Sequence, residues 1–204
     1  MTRKREERLA ALLQTDGPLW QEGVAFAGMD EAGRGPLAGN VVAACVVMPG
    51  EPLLPWVDDS KKLSPMRREQ VYQEIMDTAL FVGVGQASPE EIDAINILEA
   101  TKNAMRRAAM GAPASLFLID AVHGLGLPGE ERGMIHGDAL SYSIAAASII
   151  AKVTRDRQML ALDAEYPGYG FAQHKGYGTS QHIAALQALG PCPAHRRSFI
   201  GHFL

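Results

Sequence analysis

Cysteine is nearly absent from the chain: Cys45 and Cys192 are its only two. Neither stands at metal-ligand spacing from a second Cys or a His, which argues against a cysteine-built metal site. Cys45 sits inside an apolar stretch and reads as a small buried hydrophobe. Long apolar runs are missing too, and none approaches the ~20 residues that a membrane span needs. The charged segment Thr2 to Gln14 carries only a short Leu/Ala patch, too short for the apolar core of a signal peptide, and reads as a surface helix. Nothing points to an oxidising compartment. The expectation is a cytoplasmic protein and a monomer. An excess of positive charge is also lacking: the net charge is −4 and the pI about 5.9. A basic domain is the usual footprint of a nucleic-acid binder. The veto is weak, because clustered acids can hide a local basic face. Internal repeats and low-complexity tracts are absent.

What is present suits one globular domain. Hydrophobic residues make up 47% and charged residues 21% of the 204, enough to bury a sizeable core. The chain is organised around Gly28-Met29-Asp30-Glu31-Ala32-Gly33-Arg34-Gly35-Pro36-Leu37-Ala38-Gly39. Apolar runs flank it, residues 24–27 before and 41–48 after, and read as strands. Two carboxylates end the first strand. Three glycines and an arginine then make a turn that lets backbone approach a ligand closely. A plain surface hairpin with an Asp-Glu corner accounts for these residues equally well.

Elements alternate along the rest. Leu9, Leu12 and Leu13 share one face of an opening helix, which Thr15-Asp16-Gly17-Pro18 is expected to end. Strands are expected at about 23–30, 40–48, 80–86 and 116–120, with a weak one near 133–136. Ser64 as N-cap and Pro65 at the first helical position start a helix that reaches about Thr78. Ser88-Pro89 repeats that start for a short helix, and Asn96 to Met110 reads as a long one. The segment from Ser141 to before Pro167 is apolar and small nearly all round at first, so it should lie buried with its backbone close to a sheet. A last helix spans about 180–189, ahead of a tail with His195-Arg196-Arg197. This interleaving predicts an α/β layered fold with a partly parallel sheet.

Carboxylates recur at element ends: Asp30 with Glu31, then Asp120, then Asp138. Distant strand ends can be neighbours in one α/β sheet, where ligands bind. Four carboxylates sharing a cleft would repel one another and raise their pKa values. Divalent cations relieve this, and all-oxygen ligands favour Mg²⁺ or Mn²⁺ over zinc. Taken singly, Asp138 reads as a helix cap, Asp120 as a turn former and Glu31 as a surface acid. Taken together, a metal site is the better reading. Basic groups accompany them: Arg34, Lys61, Lys62, Lys152, Arg155 and Lys175. Residues 152–204 hold six Lys and Arg against three Asp and Glu. With Tyr166, Tyr169, Phe171 and Tyr177 these suggest a phosphate-binding face with stacking surfaces.

The same residues resemble the ribonuclease HII (type 2 ribonuclease H) family of bacteria. The resemblance rests on GMDEAGRGPLAG (28–39), DDSKKLS (58–64), INILEAT (95–101), LFLIDA (116–121), GDALSYSIAAASIIAKVTRD (137–156), YPGYGFAQHKGYGT (166–179) and HRRSF (195–199). These span nearly the whole chain in order. The resemblance implies a single α/β domain, residues 1–204, with a ribonuclease H-like mixed sheet flanked by helices. A small helical C-terminal part, about 165–204, would contact substrate. It implies hydrolysis of the RNA strand of RNA–DNA hybrids and cutting at ribonucleotides in duplex DNA. It matches Asp30, Glu31, Asp120 and Asp138 to catalytic carboxylates holding two Mg²⁺ or Mn²⁺ ions. Asp30 would bridge the ions, Glu31 and Asp120 completing one shell and Asp138 the other. Gly33, Arg34 and Gly35 match a turn whose backbone reads the ribose 2′-OH, Tyr177 a tyrosine packed against the sugar, and Lys61 a lysine near the phosphates. His136 departs from the lysine expected before Gly137-Asp138, which leaves its own role open. A hybrid-binding module without catalysis is the alternative; intact carboxylates at all four positions argue against it.

Overall fold

The chain's most apolar strands meet at the centre of one sheet. The computed structural model describes residues 2–204. In chain order its elements are α1 (Arg3–Gln21), β1 (Phe26–Ala32), β2 (Val41–Val47), a 3-10 turn (Ser60–Lys62), α2 (Pro65–Thr78), β3 (Phe81–Ala87), α3 (Pro89–Ile95), α4 (Ile97–Ala109), β4 (Leu116–Asp120) and β5 (Glu130–Met134). There follow α5 (Gly137–Leu140), α6 (Tyr142–Glu165), α7 (Phe171–His174), α8 (Ser180–Leu189) and α9 (Arg197–Ile200). The five strands lie in the order β3-β2-β1-β4-β5. The β1–β2 and β2–β3 pairs are antiparallel; β1–β4 and β4–β5 are parallel. This is the mixed sheet flanked by helices that the sequence predicts. No helix among the described residues is long and apolar enough to cross a membrane.

Strand periodicity sorts the core into two layers. Ala44 and Val46 of β2 face a cluster built with Ala145, Ala146, Ile149 and Ile150 of α6. Val41, Ala43, Cys45 and Val47 face the other way, against Ala100, Ala104, Met105 and Ala108 of α4. Cys45 is fully buried there, and burial pushes its thiol up to about 12, so it acts as the small hydrophobe expected. The small residues of α6 let its backbone touch β1: a Cβ on Gly28 would overlap the main chain of Ser143 and Ile144.

Three boundaries differ from the sequence expectation. The first strand, expected at about 23–30, lies at Phe26–Ala32, because pairing with β2 carries it on through Ala32, so Asp30 and Glu31 stand within it rather than at its end. The opening helix does not stop at residues 15–18 but runs through Pro18 to Gln21. Pro18 lacks an N–H and weakens the helix there. Packing on both sides overrides this. Asp16, fully buried, accepts hydrogen bonds from the amides of Tyr142 (3.2 Å) and Ser143 (2.7 Å). Leu19 is buried in a cluster that Trp20 packs against. The weak strand near 133–136 lies at 130–134 instead, because His136 adopts a left-handed conformation (φ 56°) that ends it. Short helices α7 and α9, unforeseen in the sequence, shape the C-terminal part.

Candidate active site

Parallel pairing of β1 with β4 ends at Met29 beside Ile119, so the next residues, Asp30 and Asp120, follow side by side where those two strands part, Asp30 still paired with Ala44 of β2 and Asp120 with Met134 of β5. Asp138 reaches them from α5, the one-turn helix after β5. An oxygen from each of Asp30, Asp120 and Asp138 lies within 4.8 Å of the others. Their backbone surroundings fix them: Asp30 accepts the Glu31 amide (2.7 Å) and Asp120 the Gly137 amide (2.7 Å). Glu31, on the adjoining residue, meets Arg34 at 3.3 Å through one oxygen. Its other oxygen is buried without a hydrogen-bond partner.

The electrostatics follow from this crowding. Burial, then the charges of Glu31 and Asp120, push Asp30 well above the usual carboxylate range. Burial also raises Glu31, with Arg34 pulling it back. Asp138 is raised by burial and by Asp59 and Asp120, against the pull of Lys61, whose Nζ lies 3.6 Å from it. Burial alone would lower Lys61, but Asp138, Asp59, Asp30 and Asp120 outweigh it and raise it. The donor set is all oxygen, mutually repelling and partly unpartnered, which fits a hard divalent cation.

Lys61 is placed by its neighbours. Asp59 accepts the Lys61 amide (3.0 Å), and Ser148 of α6 accepts the Ser60 amide (3.2 Å). A cleft of about 230 Å³ is lined by Asp30, Glu31, Gly33, Lys61, Lys152 and Tyr177, among others. Tyr177 is half exposed at 47%, and a Cβ on Gly35 would stand 3.9 Å from its ring. Gly33 and Tyr177 therefore line the same cleft as Asp30 and Glu31, with Gly35 beside the Tyr177 ring. His136 is exposed just before Gly137, the residue whose amide holds Asp120.

Other groups depart from the expected phosphate-binding face. Tyr169 and Phe171 are buried and stacked on each other, 5.3 Å between centroids, in a cluster with Cys192 and Met159. They are core, since an apolar ring gains more from burial than from exposure. Arg155 is also buried. It donates to the carbonyls of Asn40 (3.1 Å), Ala38 (3.1 Å) and Lys175 (3.0 Å), not to solvent. Lys152 pairs with Asp156 at 2.7 Å, and Lys175 bonds the Ala172 carbonyl. Cys192 has a histidine neighbour after all: its Sγ lies 3.2 Å from His195 Nδ1, within a chain that continues from His195 Nε2 to His182 Nε2 (3.1 Å). Arg196, which the sequence places only in a basic tail, is fully buried against the glycine turn.

Comparison with known proteins agrees with this geometry. A sequence model described as Ribonuclease HII matches residues 27–202. The ribonuclease HII of Geobacter sulfurreducens is 56% identical over 178 residues, 86% of this chain and 82% of that protein. That of Desulfitobacterium hafniense (strain Y51) is 53% identical over 196 residues, 95% of this chain and 75% of that protein. Among solved structures, the ribonuclease H2 from Pyrococcus horikoshii OT3 superposes with a TM-score of 0.74 at 28% identity, over 86% of this chain and 93% of that one. Fold, carboxylate cluster and kinship converge, and the chain belongs to the ribonuclease HII family, a family of hydrolases that cut nucleic acid.

Proposed function

We propose that the ribonuclease H activity of this family takes a specific form here. The protein hydrolyses the RNA strand of RNA–DNA hybrids and cuts duplex DNA on the 5′ side of embedded ribonucleotides, leaving 3′-hydroxyl and 5′-phosphate ends. It acts as a monomeric single domain whose residues 165–204 contact substrate. One observation carries the reading: the cleft floored by Asp30 and Glu31 is walled by Gly33 and Tyr177, so carboxylates and sugar-facing groups share one space.

Asp30, Glu31, Asp120 and Asp138 would hold two divalent ions, Mg²⁺ or Mn²⁺, which when bound lower the pKa of a water and stabilise the attacking and leaving oxygens. The chain's own residues do the rest. Lys61 sets a fixed positive charge at the rim of the cluster for the substrate phosphate. Arg34 keeps Glu31 oriented. The Gly33-Arg34-Gly35 backbone receives the ribose; a Cβ at Gly33 would strike Arg155, and one at Gly35 would stand beside the Tyr177 ring. The 2′-OH is the group that distinguishes RNA from DNA locally, so selectivity belongs at that turn. Tyr177 offers its ring to the neighbouring sugar.

The test is cleavage of a labelled DNA duplex with one internal ribonucleotide, in Mg²⁺, in Mn²⁺ and in EDTA, beside an all-DNA control. A metal-dependent cut 5′ of the ribonucleotide, with the control intact, is expected. A folded protein that binds the duplex and cuts it with neither metal would replace this reading with the binding module.

A further inference from the structure

Arg196 has no carboxylate partner among the described residues, yet it is fully buried. All its bonds go to main-chain carbonyls of one loop. Nε donates to Gly39 (3.0 Å), Nη1 to Arg34 (2.8 Å) and Pro36 (2.8 Å), and Nη2 to Gly33 (2.6 Å) and Gly39 (2.8 Å). A guanidinium has five N–H groups, and these five bonds match them in number. Its own main chain joins in: the Arg196 amide donates to the Leu37 carbonyl (2.9 Å), and Gly39 donates to Ala194 (2.8 Å). Burying a cation without a counter-ion is a poor route to stability. It is a good way to dictate one loop conformation.

The loop's other side follows from peptide geometry. In a trans peptide the N–H points opposite the preceding C=O. With the carbonyls of Gly33 and Arg34 turned in to Arg196, the amides of Arg34 and Gly35 are turned away from it. Neither amide has an acceptor within the chain among the described residues. A charge bonded to the carbonyls also polarises those peptides and strengthens the amides as donors. Arg155 completes the device by bonding both Ala38 of the loop and Lys175 of the segment carrying Tyr177.

We propose that Arg196 is the positioning residue for ribonucleotide selectivity: its inward clasp on the carbonyls of residues 33–39 presents the Arg34 and Gly35 amides to the sugar. The proposal rests on the function proposed above and deepens it. Arg196 does not touch the carboxylates, so metal binding and sugar discrimination should separate.

The experiment uses Arg196→Lys, which keeps the charge and loses the fork, and Arg196→Ala with and without added ethylguanidinium. Affinities for a single-ribonucleotide duplex and its all-DNA counterpart are measured in Ca²⁺, alongside Mn²⁺ affinity. In folded Arg196→Lys the preference for the ribonucleotide duplex should fall about tenfold, the scale of one lost hydrogen-bonding interaction, with Mn²⁺ affinity within about twofold of wild type. Ethylguanidinium should restore the preference in Arg196→Ala. An unchanged preference, or equal losses for both duplexes, would overturn the proposal. In wild type, the Arg34 and Gly35 amide resonances should shift with the ribonucleotide duplex and not with all-DNA, a readout independent of variant folding. Their failure to do so also overturns it. Wild type with no preference and no cleavage would instead defeat the underlying function.

Discussion

Asp30 is buried and crowded by Glu31, Asp120 and Asp138, and its carboxyl is held well above the usual range. An acid whose folded pKa lies above its unfolded one binds its proton more tightly when folded. Its contribution is favourable at low pH and is lost as pH rises through the folded value, so at neutral pH the metal-free cluster opposes folding. Asp30→Asn should therefore raise the metal-free melting midpoint by roughly 2–4 °C, the shift for about 1 kcal/mol in a domain of this size. The same variant should lose cleavage by orders of magnitude. Mn²⁺ should raise the wild-type midpoint by mass action, and that of the variant by less. Calorimetry with and without metal, next to the cleavage assay, checks all three. The four carboxylates were legible in the sequence as a group because each abuts an apolar element, although each alone has an ordinary structural reason to sit there. Arg155 and Arg196 were not. A cation in sequence reads as solvated, and their acceptors are carbonyls up to 163 residues away that no side-chain pattern marks.

At the scale of elements, α1 and α6 depend on one another. Asp16 supplies acceptors to the first amides of α6, where helix ends leave orphan donors. Burial raises the pKa of Asp16 despite its hydrogen bonds to Ser143, Ser141 and Tyr142. Asp16→Ala leaves those amides buried and unpaired. It should destabilise the protein by about 1–3 kcal/mol, seen as a lower urea midpoint with an unchanged slope. This explains why the end of α1 was misjudged. Gly17-Pro18 is a strong local stop signal, and the bond that outweighs it joins residues 126 and 127 apart. By contrast, α2 and α3 were legible in full at their starts, because Ser64 and Ser88 cap them through contacts three residues away.

Across the whole molecule, the C-terminal part is held by neutral histidines. His182 Nδ1 donates to the Tyr177 carbonyl (2.9 Å), leaving Nε2 to accept from His195, whose Nδ1 accepts the Cys192 amide (3.1 Å). These roles follow from the network as a whole. Burial, then His182, lowers His195 to about 4, and burial lowers His182 as well. A histidine with a depressed folded pKa stabilises above its unfolded value of 6.5 and loses that contribution as pH falls toward about 4. The loss is on the order of 3 kcal/mol for His195. Hydrogen exchange at pH 5 should therefore show residues 166–196 opening more readily than at pH 7, with the central sheet unchanged. The layered fold was readable from alternation of apolar runs; this histidine chain was not, since its members look like isolated polar residues.

The distance along the chain between Gly33 and Arg196 has a consequence for manufacture. The ribosome delivers Asp30, Glu31, Asp120 and Asp138 first, and Arg196 arrives seconds later at roughly 5–20 residues per second. A chain broken off in that interval carries every acidic group of the cluster and lacks the clasp on residues 33–39. On the proposal above, the group that sets ribonucleotide preference is thus the last one synthesised, after every acid whose work it would direct.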